Sequence, residues 1–253
     1  MTRILLTNDD GVHAPGYAAL ERIARQLSDD LWFVAPAEER SGAGHSLTLN
    51  SSVRVRQIES RRFAVTGTPT DSVMMALGHL MGDLRPDVIL SGVNRGPNLA
   101  EDVTYSGTVS AAMEGTLAGI RSVALSQAML DYSYGKESFA CAEAVGADVL
   151  RRVLRADWGK GVLINVNFPA TAKPKGVRAT VQGFRDYGHV HVDARIDPRG
   201  HPYYWFAYGR EVQNPAELTD LAAVRAGYVS VTPLHLDLTE HSVVSSLRQT
   251  LGD

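Results

Sequence analysis

Two adjacent carboxylates follow the first apolar run of the chain. Asp9 and Asp10 come directly after residues 3–7, which read as a buried strand, and Gly11 follows them. In an open α/β sheet the carboxyl ends of the strands border the ligand crevice. Neighbouring carboxylates repel each other unless they are solvated or share a cation, and their oxygens suit hard divalent cations. The pair therefore indicates a metal site, with an ordinary turn over residues 8–11 as the alternative.

Two later polar loops have side chains that suit the same site. Residues 39–45 follow the second predicted strand and contain Ser41, and residues 92–98 follow a later strand and contain Asn94 and Asn98. Hydroxyl and amide oxygens are hard ligands like carboxylates, whereas no His or Cys cluster with zinc spacing is present in the sequence. Strand order in a doubly wound sheet brings such loops to one crevice. Each loop taken alone is also an ordinary connection.

A third segment has the chemistry of a phosphate site. Ser106, Gly107 and Thr108 stand where helical spacing of apolar residues begins. A helix start offers backbone N–H groups and the positive end of the helix dipole, and the two hydroxyls add further hydrogen-bonding groups. The segment therefore predicts a phosphate-binding site.

Strand and helix patterns alternate through the first two-thirds of the chain. Buried-strand patterns and helical spacing follow one another up to residue 169, which predicts a doubly wound α/β fold. Between the second strand and the next helix, short β-like runs predict a small ribbon at residues 46–50, 53–58 and 62–66.

The pattern changes after residue 169. Alternating β-like stretches with many aromatic side chains occupy residues 177–208, which predicts a hairpin-rich extension. Exposed aromatics on such a hairpin are typical of a subunit interface, and a small satellite core is the alternative. A helix at 218–226, a strand at 228–232 and a helix at 242–251 complete the predicted elements.

Composition and charge restrict the class of protein. The chain has 253 residues, 44% of them hydrophobic, and a net charge of −3 without a block of like charges. These values favour one large core with an extension and disfavour nucleic-acid polymers and anionic membranes as partners. The single cysteine, Cys141, forms no intrachain disulfide, and residues 4–6 are too short an apolar stretch for a signal peptide. We therefore expect a cytoplasmic protein without a membrane-spanning segment.

Several charged residues near these loops have two interpretations each. His13 and His45 are placed to relay protons, or they are simply solvated loop histidines. Arg40 and Arg95 would bind phosphate or neutralise the carboxylates. Asp71 stands at a predicted helix start, which favours a structural cap over a catalytic role.

Blocks that match a known family run in family order along nearly the whole chain. They cover residues 7–11, 34–36, 39–48, 67–71, 91–98, 105–115, 165–169 and 227–234. In these blocks the chain resembles the SurE family (survival protein E), metal-dependent nucleoside monophosphate phosphatases. One departure is Thr70, where many relatives have alanine, and it leaves the helix start intact.

The resemblance implies a cofactor and a set of site residues. The cofactor would be one divalent metal ion per subunit, Mg²⁺ or Mn²⁺, with Ca²⁺ as another occupant. Its ligands would be Asp9, Asp10, Ser41 and Asn94. The phosphate pocket would consist of Asn98, Ser106, Gly107 and Thr108. The residues with catalytic roles would be Asp9, Asp10 and Asn98.

The resemblance also implies the fold, the assembly and the activity. The fold would be a three-layer α/β/α, Rossmann-like domain with a mostly parallel sheet over residues 1–169. Residues 170–253 would form an extension that exchanges between subunits, giving a homodimer or a tetramer. The activity would be that of a 5′/3′-nucleotidase, a phosphoric monoester hydrolase, with short-chain polyphosphate as a further substrate.

Two chemical routes and two functional classes remain open. Phosphoryl transfer depends mostly on positioning and electrostatic stabilisation, and a metal can activate water for attack at phosphorus. We favour that route over direct attack by an aspartate, which would form an aspartyl-phosphate. A nucleotide-binding sensor without turnover is the alternative class. The Asp9 and Asp10 pair favours the enzyme, because a pure phosphate site has no use for two further anions unless a metal intervenes.

Overall fold

The computed structural model describes most of the chain. The described residues are 2–133, 135, 137–185, 190–208 and 215–252. Residues 186–189, which belong to the predicted hairpin segment 177–208, lie outside these ranges.

The described strands form one large sheet and one separate hairpin. The strands are β1 Ile4–Thr7, β2 Leu31–Pro36, β3 Val55–Glu59, β4 Arg62–Val65, β5 Val88–Arg95, β6 Arg121–Gln127, β7 Val162–Phe168, β8 Val177–Ala179, β9 Val190–Ile196, β10 Pro202–Tyr208 and β11 Val229–His235. Within the described residues, nine strands form the large sheet in the order β3, β4, β2, β1, β5, β6, β7, β11, β8. Strands β4, β2, β1, β5, β6 and β7 run parallel, whereas β3 and β11 are antiparallel to β4 and β7.

Helices cover both faces of this sheet. They are α1 Pro15–Ala24, α2 Pro69–Met75, α3 Gly107–Leu117, α4 Ala140–Arg155, α5 Asp220–Arg225 and α6 His241–Leu251. Helices α1 and α4 share a core with one face of the sheet, and α2 and α3 pack against the other face. The predicted doubly wound α/β fold with a mostly parallel sheet is confirmed.

The first strand and helix show why the sequence folds this way. All four residues of β1 are buried, as expected of a strand covered on both faces. In α1, Tyr17 and Leu20 are buried against the sheet, and the Tyr17 hydroxyl donates to the carbonyl of Leu6 at 2.9 Å. A Cβ on Gly16 would lie 2.0 Å from the carbonyl oxygen of Val93 in β5. Only glycine therefore allows α1 to pack this closely.

The order of the strands produces a switch point next to β1. The chain leaves β1 for β2 on one side, and β5 later occupies the other side. The carboxyl ends of β1 and β5 therefore border a crevice, which is where ligands bind in open α/β sheets. Asp9 and Asp10 follow β1, and Asn94 lies near the end of β5.

The ribbon predicted after the second strand is partly wrong. Strands β3 and β4 confirm two of its three runs, but residues 46–50 form no strand. The backbone N–H and the hydroxyl of Thr48 instead donate to the carboxylate of Asp71, at 3.0 Å and 2.5 Å. These side-chain hydrogen bonds replace a strand ladder in this loop.

The extension contributes to the main sheet as well as forming its own hairpin. Strands β8 and β11 add to the edge next to β7, and β9 pairs with β10 in a separate two-stranded sheet. The predicted strand at 228–232 is confirmed as part of β11, and the boundary at residue 169 stays a prediction. Among the described residues no helix is both long and apolar enough to cross a bilayer.

Candidate active site

One cavity at the crevice contains most of the predicted site residues. Its volume is about 370 Å³, and Asp9, Ser41, Asn94, Asn98 and Ser106 line it. Asp9, Ser41 and Asn98 come from the loops after β1, β2 and β5, and Ser106 from the start of α3. Asn94 lies within β5, so the polar loop predicted at residues 92–98 begins only after Arg95. Residues up to about a hundred positions apart in the sequence therefore lie together at the switch point, where a ligand site is expected.

Asp9 is a buried carboxylate at the start of α3. Only 4% of the residue is exposed, and the Thr108 hydroxyl donates to Oδ1 at 2.5 Å. Burial raises the pKa of Asp9, and hydrogen bonds from the hydroxyl and the backbone N–H of Thr108 oppose the rise without cancelling it. The helix start that was predicted to bind phosphate thus also binds a carboxylate of the protein, because the Thr108 hydroxyl donates to Asp9.

Asp10 faces a neighbouring cavity. This second cavity has a volume of about 290 Å³ and includes His13, Glu39 and Glu137 among its lining residues. The backbone N–H of Arg95 donates to Asp10 Oδ2 at 3.2 Å. Burial, and then the charge of Asp9, raise the pKa of Asp10 to about 7. The two acids thus line two cavities that share Arg95 in their lining.

Ser41 and Asn94 present oxygen atoms to the first cavity. The Ser41 hydroxyl donates to Glu39 Oε1 at 2.9 Å, which leaves its oxygen lone pairs as acceptors. The Asn94 amide nitrogen donates to the carbonyl of Gly96 at 2.9 Å. This bond fixes the amide orientation, so that Asn94 Oδ1 is the atom suited to a cation.

The donor set fits a divalent metal. Two adjacent carboxylates, both with raised pKa values, make no salt bridge to a lysine or arginine side chain among the described residues. A cation would remove the electrostatic cost of their ionised forms. In the described part of the chain no group of three or more His, Cys, Asp and Glu side chains could hold a metal. A metal here would therefore be bound by carboxylates together with neutral oxygens, which favours Mg²⁺, Mn²⁺ or Ca²⁺ over zinc.

The loop that carries Ser41 is attached to two helices. Asp71 and Thr68 form a capping box at the start of α2, and the same Asp71 carboxylate accepts the two hydrogen bonds from Thr48. His45 Nε2 lies 3.1 Å from Glu114 Oε2 in α3. The prediction that Asp71 is a structural cap is confirmed, and His45 serves as an anchor of this loop.

Asp71→Ala is expected to lower the free energy of unfolding by about 2 to 3 kcal/mol, because it removes a helix cap and charge-assisted hydrogen bonds together. Burial raises the pKa of Asp71, but hydrogen bonds from Thr48 and Thr68 outweigh it, so the net pKa is lowered. The stabilisation is therefore present above the unfolded-state pKa and lost as the pH falls through the folded-state pKa. Urea denaturation at neutral and acidic pH measures both effects.

Asp148→Ala is the matched control for that prediction. Asp148 is an exposed acid that pairs with Arg151 in α4, and such pairs contribute about 0.5 kcal/mol or less. Equal losses of stability in the two variants, or a loss at Asp71 that does not shrink in acid, would contradict the assigned role.

The remaining charged residues near the site have separate places. The backbone N–H of Arg40 donates to the carbonyl of Asp9 at 2.8 Å. The Arg95 side chain lies against Glu137, with Nε 3.2 Å from Oε1, and it donates to the carbonyl of Tyr132. The Arg95 guanidinium is thus paired with Glu137, and its charge opposes, without outweighing, the rise in the pKa of Asp10 that burial and the charge of Asp9 cause.

Sequence reasoning missed the residues that hold the loop after β5. Asn165 and Asn167 in β7 bond to the backbone of Asn98. The buried Asp220 of α5 accepts from the backbone N–H of Ala100 at 2.8 Å. The signal for the first two was present, since two asparagines alternate within an otherwise apolar strand. Asp220 had no comparable signal.

Comparison with protein families identifies the group to which the chain belongs. The model of the family described as Survival protein SurE matches residues 4–189. The chain belongs to the SurE family.

Members of the SurE family match nearly the whole chain. A protein named 5′-nucleotidase SurE from Rhizorhabdus wittichii is 58% identical over 247 residues, which cover 96% of this chain and 97% of that protein. A protein of the same name from Erythrobacter litoralis is 57% identical over 245 residues, with 96% and 97% covered. The crystal structure of the SurE protein from Aquifex aeolicus matches with a TM-score of 0.81 and 41% identity, covering 99% of this chain and 100% of that one. The predicted SurE resemblance is confirmed.

Proposed function

We propose that this chain is a metal-dependent phosphomonoesterase that hydrolyses nucleoside 5′-monophosphates to nucleoside and phosphate. The observation that carries the proposal is the cavity lined by Asp9, Ser41, Asn94, Asn98 and Ser106. It combines oxygen ligands for a divalent cation with hydroxyl and amide groups for a phosphoryl group. The name of the relatives, 5′-nucleotidase SurE, supports this substrate. Nucleoside 3′-monophosphates and short-chain polyphosphate are proposed as further substrates of the same site.

One divalent cation per subunit, Mg²⁺ or Mn²⁺, is part of the proposal, with Ca²⁺ as another occupant. Its ligands would be Asp9, Asp10, Ser41 and Asn94. When bound, the cation supplies charge stabilisation for phosphoryl oxygens and lowers the pKa of water. The chain contributes fixed ligands, because Thr108 holds the Asp9 carboxylate and the carbonyl of Gly96 holds the Asn94 amide.

Asn98, Ser106 and Gly107 would bind the phosphoryl group. Ser106 Oγ accepts from the backbone N–H of Val109 at 3.1 Å, and its own hydrogen can still donate to a phosphoryl oxygen. Gly107 begins α3, where backbone N–H groups have no partner within the helix. Thr108 would act through Asp9, since its hydroxyl donates to that carboxylate.

An aspartate would take the proton of the attacking water. Burial and the charge of Asp9 raise the pKa of Asp10 to about 7, and a base with such a pKa is well matched to neutral pH. We propose attack by water at phosphorus, with whichever of Asp9 and Asp10 does not bind the cation directly receiving the proton. Direct attack by one of these carboxylates, with an aspartyl-phosphate intermediate, is the alternative.

The test is phosphate release from a panel of nucleoside 5′- and 3′-monophosphates and short polyphosphates. Chelator-treated protein is expected to release none, and addition of Mg²⁺ or Mn²⁺ is expected to restore release. Comparison across the panel ranks bases, phosphate positions and metals. If no substrate is hydrolysed while nucleotides still bind, the proposal is wrong and the site is that of a nucleotide sensor.

We also propose that the hairpin of β9 and β10 joins subunits into a homodimer, with a tetramer as the larger form. Tyr204 and Phe206 lie on one face of β10 and are 59% and 76% exposed. Across the hairpin Phe206 is paired with Val192, which is 45% exposed. Adjacent exposed aromatic and aliphatic side chains on one face are typical of an interface.

The double variant Tyr204→Ser with Phe206→Ser is expected to lower the mass in solution to that of the monomer, because the substitutions remove the apolar surface that a partner would cover. Light scattering after size-exclusion chromatography measures the mass. Leu130→Ser is the control, since Leu130 is 90% exposed outside the hairpin. An unchanged mass in the double variant would show that this face does not hold the subunits together.

A further inference from the structure

Strand β7 contains two buried amides that the proposed mechanism does not use. Asn165 and Asn167 lie on one face of the strand, and both are 0% exposed. The other residues of β7 are apolar. A buried amide without partners costs free energy, so each one in a native core is expected to serve a hydrogen-bonding purpose.

Both amides bind the backbone of Asn98. The backbone N–H of Asn98 donates to Asn167 Oδ1 at 2.8 Å, and Asn167 Nδ2 donates to the carbonyl of Asn98 at 3.0 Å. Asn165 Nδ2 donates to the same carbonyl at 2.9 Å. The Asn167 side chain thus takes the place of a neighbouring strand and satisfies both backbone groups of one residue in a loop.

The side chain of Asn98 is fixed as well. Its Nδ2 donates to the hydroxyl of Ser126 in β6 at 2.8 Å, and Ser126 is the register partner of Asn167. A carboxamide has two N–H groups and an acceptor oxygen, so one N–H and Oδ1 remain for other partners. Asn98 also lines the cavity that contains Asp9. The interior of the sheet therefore determines where this amide stands.

We propose that Asn167, assisted by Asn165, is a positioning residue that places the Asn98 amide for contact with a phosphoryl group. The inference rests on the proposed function for the phosphate role of Asn98. Neither β7 side chain lines the cavity, so both act through Asn98. A displacement of about 1 Å at a reacting centre can cost ~10²-fold in rate, which makes the placement of a loop amide kinetically important.

The two asparagines differ in what they contribute. Asn167 makes two hydrogen bonds to the backbone of Asn98, since its Oδ1 accepts from the Asn98 N–H and its Nδ2 donates to the Asn98 carbonyl. Asn165 makes one bond to a carbonyl that Asn167 also serves, and its own Oδ1 has no hydrogen-bond partner among the described residues. We therefore expect Asn167→Ala to affect Asn98 strongly and Asn165→Leu mildly, with little loss of stability in the second variant.

The experiment compares these variants with a buried polar control. Ser28→Ala removes a buried hydroxyl that bonds to Thr2 and Asp30. Ser28 precedes β2, at the amino ends of the parallel strands, whereas the site lies at their carboxyl ends. For each protein, kcat and KM with AMP, the inhibition constant of inorganic phosphate and the hydrogen exchange of residues 96–104 are measured. Metal-loaded protein is used for the first two readouts.

Asn167→Ala is expected to lower kcat/KM by about 10²-fold, to weaken phosphate inhibition and to speed exchange of residues 96–104. Ser28→Ala is expected to leave all three unchanged. In the Asn98→Ala background, Asn167→Ala is expected to have little further effect on phosphate binding, because the amide that it positions is already gone. A merely structural role would instead give independent, additive losses.

Two outcomes would overturn the proposal. One is that Asn167→Ala binds phosphate as tightly as the wild type, and the other is that the losses of phosphate binding in Asn98→Ala and Asn167→Ala add up in the double variant. If Asn167→Ala does not fold, Asn165→Leu decides: weaker phosphate binding supports the proposal, and unchanged binding overturns it. If the wild type hydrolyses no nucleotide, the proposed function fails, and calorimetric titration of inorganic phosphate into the same variants still tests the positioning of Asn98.

Discussion

Asp9→Asn is expected to lower kcat/KM for nucleoside monophosphates by ~10³-fold or more, since losing the charge that holds the cation removes several kcal/mol of transition-state stabilisation. Asn retains an acceptor oxygen for the Thr108 hydroxyl, which donates to Asp9 Oδ1 at 2.5 Å in the wild type. The start of α3 is therefore expected to stay folded. Steady-state kinetics with saturating Mg²⁺ or Mn²⁺ measure the loss.

The stability of the same variant separates a metal ligand from a structural residue. Burial raises the pKa of Asp9, so its ionised form is costly in protein without metal, and removal of the charge is not expected to lower the unfolding midpoint. A cation that binds only the folded state raises the midpoint. We expect Mg²⁺ or Mn²⁺ to do so for the wild type and not for Asp9→Asn.

Asp87→Asn is the control for this substitution. Asp87 is exposed just before β5, at the amino end of the strand and away from the site. It accepts from the backbone N–H of Arg3 at 2.7 Å. Its replacement is expected to preserve both activity and the response to metal. Full activity in Asp9→Asn, or an undiminished metal response, would show that this carboxylate holds no cation.

Gly107→Ala is expected to lower kcat/KM by about 10²-fold through a displacement of Asp9. A Cβ at this position would lie 2.8 Å from Cβ and 3.1 Å from Oδ2 of Asp9, and 3.0 Å from Cγ of Pro69. Both neighbours are buried, so the methyl group fits only if the carboxylate or the start of α3 moves. Overpacking of this kind costs about 1 to 3 kcal/mol of stability.

Gly78→Ala is the matched control, because a Cβ at Gly78 would meet nothing within 4 Å. It lies in the π-helical turn Ala76–Leu80 after α2. We expect activity and metal response at the wild-type level in this variant. If Gly107→Ala behaves in the same way, Asp9 tolerates displacement and the close packing at α3 has no role in the site.

Much of the fold was predictable because its elements have strong local patterns. The continuous apolar runs of β1, β2 and β5 indicate strands buried on both faces, and the helical spacing of α1 is equally clear. The antiparallel direction of β11 was not predictable, because a short apolar strand has the same pattern in either direction. Its direction is set by its tertiary pairing with β7.

The candidate site was predictable to the extent that topology determines it. Asp9 and Asn98 follow strands, and Asn94 lies near the end of one. The carboxyl ends of these strands meet at the switch point, so the approach of the three residues follows from the order of the sheet. The bond from Thr108 to Asp9 joins residues 99 positions apart, and it depends on side-chain geometry that no local pattern encodes. For the same reason the sequence predicted phosphate at the start of α3 without revealing the carboxylate there.

The attachment of the Asn98 loop also has a consequence for biosynthesis. The predicted ligands lie within the first 108 residues, but the loop that carries Asn98 depends on Asn167 and, through Ala100, on Asp220. Domains fold as units during synthesis, when later segments have not yet left the ribosome. We therefore expect the nascent chain to gain nucleotide-hydrolysing activity only after α5 has emerged, although all of its predicted ligands are synthesised much earlier.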